Sequence, residues 1–287
     1  MNNKSILIVA GEPNSIFFEI FFKSIKNKNY RDPLILICCK KNLKFQMKKF
    51  NFKKNLRLLK IVDLRKTKLD NKKINVINVN LLKNKNEKIN TKLSNKYIAE
   101  SFKIAFRLIK DGNAYKLING PINKNKFLNK KFLGITEYIA SKFKEKKFAM
   151  LIYNKKMSVC PLTTHLPLKL VSKKITKKII YEKILLINNF FKNNFNFKPK
   201  IGVTGLNPHC ESILKYNEDE KIVSQAIKSS KKKFNVKGPF PADTLFLKDN
   251  IKNFNVILGM YHDQVLTPLK TLYEYDARNI TLGLPFI

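Results

Sequence analysis

The chain has 287 residues, of which 44% are hydrophobic and 27% are charged. A chain of this length and composition buries enough apolar surface for one large or two medium α/β domains, which excludes a disordered tail. The first apolar run, from Ile6 to Ala10, is far too short for a signal peptide or a membrane-spanning helix. We therefore expect a soluble cytoplasmic protein with no membrane partner.

The formal net charge is +38, and only five of the 58 basic residues are arginine. One interpretation is a protein that binds nucleic acid or another polyanion. The other is a genome rich in A and T, whose codons favour Lys, Asn, Ile and Phe without selecting for any partner. We expect no nucleic-acid partner, because dedicated binders exploit the bidentate fork of arginine. The charge can still steer anionic, phosphorylated substrates inward.

Short apolar runs alternate with longer amphipathic segments, a pattern that predicts a mainly parallel sheet covered by helices. Apolar residues that recur three or four positions apart predict helices over 94–110 and 172–191. Thr176 lies on the apolar stripe of the second predicted helix. The Lys- and Asn-rich stretch Leu81–Thr91 reads as a solvated loop. The predicted strands are Ser5–Ala10, Leu34–Cys38, Tyr115–Asn119, Phe148–Tyr153, Met157–Leu162, Lys200–Leu206, Val256–Met260 and Asn279–Leu284.

Each of the three histidines, His165, His209 and His262, follows the end of a predicted strand. Loops at the carboxyl ends of strands converge in open α/β sheets, so the three imidazoles could meet at one divalent ion such as Zn²⁺. Glu211 and Asp263 lie close to two of them in sequence as candidate orienting carboxylates. The alternative is that each histidine is a satisfied structural residue.

Two further loops are suited to contact an anion or substrate, Asn119–Lys124 and Gly238–Thr244, although both are also ordinary turn sequences. Asp243 is the most distinctive residue of the second loop, because it is a carboxylate in an apolar, proline-stiffened segment. No G-x-G-x-x-G follows the first strand, so a Rossmann dinucleotide site is not expected.

Eight segments appear in an order that resembles the 4-hydroxythreonine-4-phosphate dehydrogenase family of pyridoxal phosphate biosynthesis. Together they span nearly the whole chain. They are Gly11–Pro13 (GEP), Gly120–Lys124 (GPINK), Thr136–Ala140 (TEYIA), Thr163–Leu168 (TTHLPL), Gly205–His209 (GLNPH), Gly238–Phe246 (GPFPADTLF), Tyr261–Gln264 (YHDQ) and Asn279–Ile287 (NITLGLPFI).

This resemblance implies two α/β/α domains with a cleft between them, as in isocitrate and isopropylmalate dehydrogenases, here over residues 1–130 and 131–287. It also implies a homodimer with shared active sites. The residues that it assigns are His165, His209 and His262 as ligands of a Zn, Mg or Co ion, Thr136, Lys270 and Asn279 as substrate contacts, and Lys270, Asp243 and Asp263 as catalytic residues.

The implied reaction is the oxidation of 4-phosphohydroxy-L-threonine with NAD or NADP. Loss of CO₂ then leaves 3-amino-2-oxopropyl phosphate, an intermediate of pyridoxal 5′-phosphate synthesis. Two alternatives stay open. One is a related dehydrogenase of another phosphorylated four-carbon hydroxy acid, and the other is a catalytically impaired protein that keeps the fold and binds metal or ligand without chemistry.

The sequence departs from the family pattern at three places. Ile135 stands where the family has a substrate-contacting histidine. The loop from Gly11 to Phe18 carries bulky side chains where the family has more glycine. The family's substrate-binding arginine and its Asp-His-Gly-Thr-Ala segment, associated with cofactor binding, would lie beyond Ile287. We therefore expect weak or no turnover from these 287 residues, below the usual rates of ~1–10³ s⁻¹.

Overall fold

The computed structural model describes residues 5–82, 89–129, 131–213 and 216–287. Contacts between Cα atoms divide the chain into two compact units. The first contains the chain up to Ile135 together with Pro285–Ile287, and the second is Thr136–Leu284. Each unit is built on its own sheet with parallel strands, so the α/β class predicted from the sequence is confirmed.

The sheet of the first unit has five strands in the order β3-β4-β2-β1-β5, and all of its pairs are parallel. The strands are β1 (Ser5–Val9), β2 (Leu34–Cys38), β3 (Leu56–Leu58), β4 (Ile74–Asn78) and β5 (Ala114–Asn119), and the helices are α1 (Phe17–Lys26), α2 (Lys40–Lys49), α3 (Thr91–Lys110) and α4 (Lys124–Leu128). Parallel strands need crossover connections, and three of the four helices, α1, α2 and α3, lie between successive strands here, whereas α4 follows β5.

Helix α1 supplies the aromatic part of the first core. Phe17, Phe18, Phe21 and Phe22 are all buried and belong to one apolar cluster with residues of β1, β2 and β4. The bulky residues at the end of the opening loop are therefore core residues of a helix, and α1 begins at Phe17. Burying a phenylalanine side chain stabilises a fold by about 1.5–3 kcal/mol, so this group anchors the helix to the sheet.

The sheet of the second unit has six strands in the order β11-β6-β7-β10-β8-β9. The strands β7, β10, β8 and β9 pair in parallel, whereas β11 with β6 and β6 with β7 are antiparallel. These strands are β6 (Ala149–Tyr153), β7 (Ser158–Pro161), β8 (Ile201–Thr204), β9 (Val236–Phe240), β10 (Val256–Gly259) and β11 (Arg278–Leu282).

Helices of very different length cover this second sheet. Two longer ones, α7 (Lys177–Phe195) and α11 (His262–Tyr273), bury one face each. A single π-helical turn, Asp219–Ser224, runs directly into α8 (Gln225–Lys231). The remaining helices are α5 (Ile135–Lys142), α6 (Val171–Lys174), α9 (Ala242–Leu245) and α10 (Lys248–Ile251).

Three predictions from the sequence are corrected. The helix predicted over 172–191 is two helices, α6 and α7, because the Thr176 side chain accepts from Ile179 N at 3.2 Å and caps the second one. Thr176 is therefore not part of an apolar stripe. The segment Gly238–Thr244 is the end of β9 and the start of α9, not a loop. Of the predicted loop Leu81–Thr91, residues 83–88 lie outside the described residues, and Thr91 already belongs to α3.

The second predicted domain extended to residue 287, but its last three residues belong to the first unit. Leu117 N donates to Ile287 O at 2.7 Å, and Ile287 N donates to Tyr115 O at 3.2 Å. Those two bonds tie the chain end to β5. β5 is the last strand of the first sheet, and its backbone groups would be unpaired without the chain end. This pairing is why Pro285–Ile287 belong to the first unit.

Candidate active site

The three histidine loops follow three neighbouring strands of the second sheet. His165 comes shortly after β7, His262 begins α11 after β10, and His209 comes shortly after β8. These strands are adjacent and parallel in the order β7-β10-β8. Their carboxyl ends therefore lie at one edge of the sheet, which is where open α/β sheets bind ligands.

Two of the imidazoles lie side by side. The ring centroids of His165 and His262 are 5.8 Å apart. Two imidazoles that bind one tetrahedral ion at the usual Zn–N distance have centroids about 5 Å apart, so the observed spacing suits a shared ion. His262 Nδ1 lies 2.7 Å from Asp263 Oδ1, which leaves the other ring nitrogen of His262 for a metal.

The third histidine is held differently. His209 is exposed and has a backbone φ of 55°, in the left-handed region, and the next residue, Cys210, has a φ of 62°. Within residues 5–82, 89–129, 131–213 and 216–287, no group of three or more His, Cys, Asp or Glu side chains is already arranged to hold an ion. The structure brings two of the three predicted ligands together, and the convergence of all three stays a prediction.

Acidic groups surround the His209 loop. Burial raises the pKa of the Cys210 thiol to about 11, and the negative charges of Asp219, Asp243 and Glu211 add to this effect. Asp243 is therefore close enough to the loop to contribute to the raised pKa of the Cys210 thiol. A carboxylate in this position is available to a cation bound by the histidines.

Hydrogen bonds from side chains link the three histidine loops to one another. Gln264 Oε1 accepts from Met260 N at 2.7 Å and from Thr204 Oγ1 at 2.8 Å, while its Nε2 donates to Gly205 O at 2.7 Å. Thr163 Oγ1 donates to Met260 O at 2.8 Å. The ends of β7, β10 and β8 are thus joined around Met260.

The sequence interpretation did not assign a role to Gln264, although it lies in the quoted segment YHDQ, nor to Asp219. Asp219 is 1% exposed, and its carboxylate accepts from Leu206 N at 2.6 Å and Asn207 N at 2.9 Å. No pattern in the surrounding residues, Asn-Glu-Asp-Glu, indicates this contact. The bonds of Gln264 to Thr204 and Gly205 span 60 and 59 positions, and that of Asp219 to Leu206 spans 13, so helix and strand spacings do not reveal them.

The chain matches the family model described as pyridoxal phosphate biosynthetic protein PdxA over residues 30–287. It is 34% identical to a 4-hydroxythreonine-4-phosphate dehydrogenase from Sulfurihydrogenibium sp., over 98% of this chain and 87% of that protein. The chain belongs to the PdxA family. It is also 29% identical to the D-threonate 4-phosphate dehydrogenase of Salmonella typhimurium, over 100% of this chain and 90% of that one.

The crystal structure of a 4-hydroxythreonine-4-phosphate dehydrogenase from Klebsiella pneumoniae is similar to this PdxA family chain with a TM-score of 0.81. The two are 27% identical, and the similarity covers 99% of this chain and 89% of the other. Agreement over nearly the full length means that both units, and not one alone, follow this family's fold. A search of the described residues finds no helix that is both long and apolar enough to cross a membrane.

The predicted substrate contacts of this PdxA family protein lie in three elements of the second unit. Thr136 is buried in α5, with its Oγ1 3.2 Å from Thr281 Oγ1 of β11. Asn279 is exposed on the same strand, where it pairs in register with Ile152. Helix α5 and strand β11 therefore present two of the three predicted contacts from adjoining elements.

Glu137, next to Thr136, links α5 to the His165 loop. Its Oε1 accepts from Thr164 Oγ1 at 3.1 Å. The other carboxylate oxygen of Glu137 is buried, with no hydrogen-bond partner among the described residues. Glu137 is thus a second acidic residue that sequence spacing did not reveal, and it joins a predicted substrate-binding helix to a predicted metal-binding loop.

Lys270 is exposed on α11, the helix that begins at His262. Two helical turns, about 12 Å along the axis, separate the two residues. Asp243 and Asp263 are both exposed, in α9 and in the first turn of α11. Among the predicted catalytic residues, the two carboxylates therefore lie beside histidine loops, whereas Lys270 lies further along the helix.

The predicted loop Asn119–Lys124 lies in the first unit, where Asn119 is the last residue of β5, Lys124 is the first of α4, and residues 120–123 connect them. Glu12 N donates to Pro121 O at 2.8 Å, so this loop packs against the opening loop of the chain. A Cβ on Gly120 would lie 2.2 Å from Ala10 O, which no side chain tolerates. The close approach of the two loops explains why glycine occupies this position.

A cavity of about 530 Å³ lies in the second unit among Lys200, Lys237, Phe240 and Phe254. Phe240 and Thr244 of the predicted segment Gly238–Thr244 line it, but no predicted metal ligand, substrate contact or catalytic residue does. The cavity brings together no histidine and no carboxylate, whereas the histidine edge has the titratable side chains and the hydrogen-bonded loops that chemistry needs. We therefore base the functional assignment on the histidine edge.

Proposed function

We propose that this PdxA family protein oxidises and decarboxylates 4-phosphohydroxy-L-threonine in pyridoxal 5′-phosphate synthesis, with NAD or NADP as the oxidant. The nicotinamide would supply the acceptor for the hydride that leaves the substrate C3 carbon, and the C3 hydroxyl would give its proton to a carboxylate of the protein. The resulting β-keto acid then loses CO₂ to leave 3-amino-2-oxopropyl phosphate. The observation that carries the proposal is the placement of three histidine loops on adjacent parallel strands, with His165 and His262 at 5.8 Å.

His165, His209 and His262 would hold the divalent ion, for which Zn²⁺, Mg²⁺ and Co²⁺ are the candidates. The spacing of the first two rings and the carboxylate on His262 suit imidazole ligation of such an ion. When bound, the ion supplies positive charge that lowers the pKa of a coordinated hydroxyl. Asp263 fixes the orientation of the His262 ring, because its Oδ1 is 2.7 Å from Nδ1.

The remaining predicted site residues bind the substrate and move its proton. Asp263 is engaged with His262, so Asp243 is the carboxylate available to receive the C3 hydroxyl proton. Lys270 supplies a cation for the substrate phosphate or for the developing oxyanion. Thr136 and Asn279 complete the substrate contacts from α5 and β11.

We also propose that the protein is a homodimer with active sites shared between two chains. Lys270 lies about 12 Å along α11 from His262 and is exposed, so it is free to serve a metal held in part by a second copy. The absence of a three-ligand group in the described part of this single chain also supports sharing. A second copy would then contribute part of each site, as symmetric dimers permit.

A second candidate function is the oxidation of D-threonate 4-phosphate. Its support is the 29% identity to the Salmonella typhimurium enzyme of that name, together with Ile135, which replaces a substrate-contacting histidine of the family pattern. The two substrates differ in the group at C2, an amine or a hydroxyl. A single hydrogen bond to that group changes specificity by about tenfold or more.

Comparative turnover tests the proposal. We expect purified protein to reduce NAD or NADP when supplied with 4-phosphohydroxy-L-threonine and divalent ion, and to stop after chelation. Because Ile135 removes a substrate contact, we expect a rate below the usual ~1–10³ s⁻¹. A kcat/KM at least about tenfold higher for D-threonate 4-phosphate would favour the second candidate. Calorimetric binding of either substrate without nicotinamide reduction would indicate a noncatalytic protein.

A further inference from the structure

The backbone of the His209 loop is strained. His209 and Cys210 are consecutive non-glycine residues in the left-handed region, with φ values of 55° and 62°. Each such residue costs about 1–3 kcal/mol and persists only where the surrounding structure fixes it. His209 itself is exposed, so packing of its side chain cannot provide that restraint. Two backbone bonds close the turn, from Cys210 N to Asn207 O and from Glu211 N to Pro208 O, both at 3.1 Å, and the turn then depends on the groups that hold residues 204–207.

Asp219 holds the loop from one side. Its buried carboxylate accepts from Leu206 N at 2.6 Å, Asn207 N at 2.9 Å and Asn207 Nδ2 at 3.1 Å. Within the described residues it forms no ion pair, so N–H donors of this one loop balance the buried charge. Burying a carboxylate is costly, and charge-assisted bonds of this kind are among the strongest that a loop can receive.

Gln264 holds the loop from the other side. One end of its amide donates to Gly205 O, and the other accepts from Thr204 Oγ1 and Met260 N. Gln264 lies in the first turn of α11, which begins at His262. One side chain therefore fixes the start of the His209 loop relative to the helix that carries His262.

We propose that Asp219 and Gln264 are positioning residues that hold His209 ready for the metal that His262 and His165 also bind. The inference rests on the proposed function, because it assumes a metal at these histidines. Neither residue ligates the ion. They act through residues 204–207, to which they make five hydrogen bonds. The bond from Cys210 N to Asn207 O, at 3.1 Å, connects this fixed segment to the strained turn at His209.

Binding of Co²⁺ alone, followed by calorimetry and by the visible absorption of the bound ion, tests this inference. The absorption reports ligand number and geometry, which a merely structural role would leave unchanged. In Gln264→Leu we expect the Co²⁺ Kd to rise by about 10–100-fold, the usual effect of losing a residue that orients a metal ligand. The absorption spectrum of bound Co²⁺ should change as well.

Asn75→Leu is the matched control. Asn75 is 1% exposed and donates to Leu34 O at 3.0 Å and Asp70 O at 2.7 Å, so it is also a buried amide that links backbone segments, but it lies in the first unit. We expect it to lower the Tm to an extent comparable with Gln264→Leu and to leave the Co²⁺ Kd within about twofold, because binding couples only to the residues that shape the site.

The possible outcomes separate the two proposals. Failure of wild type to bind Co²⁺, or equal binding by His209→Ala, would overturn the metal site and the inference together. Tight binding by wild type with loss in His209→Ala, but an unchanged Kd and spectrum in Gln264→Leu, would overturn the inference alone. If Gln264→Leu does not fold, Asp219→Asn replaces it, since it keeps the side-chain size, and the same weakening of Co²⁺ binding is expected.

Discussion

Ile135 is the residue at which the resemblance described from the sequence predicts a substrate-contacting histidine. It begins α5 and precedes Thr136, which is buried and paired with Thr281. An isoleucine side chain has no hydrogen-bond donor, so a contact that an imidazole would make with an anionic substrate is lost. The rest of the Thr136 environment is intact, which makes the position suitable for restoring the missing group.

We predict that Ile135→His increases kcat/KM for 4-phosphohydroxy-L-threonine by about tenfold or more, because a hydrogen bond to a charged group contributes about 1.5–3 kcal/mol. Steady-state nicotinamide reduction measures the effect. Ile135→Phe is the control, since it supplies a ring without a donor, and it should bring no gain. Equal rates for the wild type and Ile135→His would show that this side chain does not reach the substrate.

The histidines could be predicted from the sequence because each follows an apolar run that ends in a recognisable strand. Their immediate supports could not. Gln264 contacts Gly205 and Thr204, and Asp219 contacts Leu206, across long stretches of chain. Periodicity describes near neighbours in sequence, whereas the Gln264 contacts arise only once β8 and β10 lie side by side, and the Asp219 contacts only once Asp219 packs beside the end of β8.

At the scale of elements, α7 packs against the second sheet through a stripe that includes Ile180, Ile184 and Ile187. Lys183 lies on the same helix, donates to Phe148 O and lies over the Phe148 ring. Burial lowers the pKa of Lys183, while the nearby groups of Cys160, Glu182 and Glu137 oppose this shift. Burial of the charged Lys183 side chain between α7 and the sheet therefore lowers the free energy of unfolding.

This arrangement predicts a pH dependence of stability. The pKa of Lys183 is lower in the folded than in the unfolded chain, so the folded state releases the proton first and the wild type gains stability as pH rises toward 10.5. The free energy of unfolding of the wild type, relative to that of Lys183→Met, should therefore increase between pH 7 and pH ~10. Urea unfolding at several pH values measures it.

Lys192→Met is the control for this experiment, because Lys192 is an exposed lysine of the same helix. It reports the effect of removing a positive charge from α7 without uncovering a buried position. A relative stability of Lys183→Met that is constant with pH, or that rises with pH, would contradict the assignment of Lys183 as a buried, destabilised ammonium.

Strand β2, Leu34–Cys38, could be predicted to the residue because it is a continuous apolar run, as buried parallel strands are. The strands β3, β4 and β9 could not. In β4 the sequence Ile-Asn-Val-Ile-Asn includes the buried Asn75, which is satisfied by Leu34 O and Asp70 O. β9 contains Gly238 and Pro239, which indicate a turn in isolation but are tolerated at the edge of a sheet.

At the scale of the whole molecule, the charge of +38 is the property that most needs an explanation. In the part of the chain that the structure describes, few positive charges are in ion pairs, and several of the pairs are between exposed side chains. Exposed ion pairs contribute little to the free energy of unfolding. The net charge therefore acts mainly through the long-range electrostatic field of the protein. A positive field raises the rate at which a phosphorylated substrate meets the protein and falls with ionic strength.

We predict that any binding to duplex DNA is nonspecific, with a Kd of about 10⁻⁴–10⁻⁶ M at physiological salt and a steep loss of affinity with added salt. Fluorescence anisotropy across a salt series measures this. The physical reason is that lysines scattered over the surface contact phosphates without reading bases. A Kd near ~10⁻⁸ M at physiological salt would instead identify nucleic acid as a true partner.

The central claim is that histidines from three adjacent strand ends bind one divalent ion. Metal analysis of the purified protein, beside His209→Ala prepared in the same way, tests it most directly. We predict about one divalent ion per chain in the wild type and nearly none in the variant, because loss of one of three protein ligands removes most of the affinity. Equal metal content in the two proteins, or no metal in either after incubation with Zn²⁺, Co²⁺ or Mg²⁺, would contradict the claim.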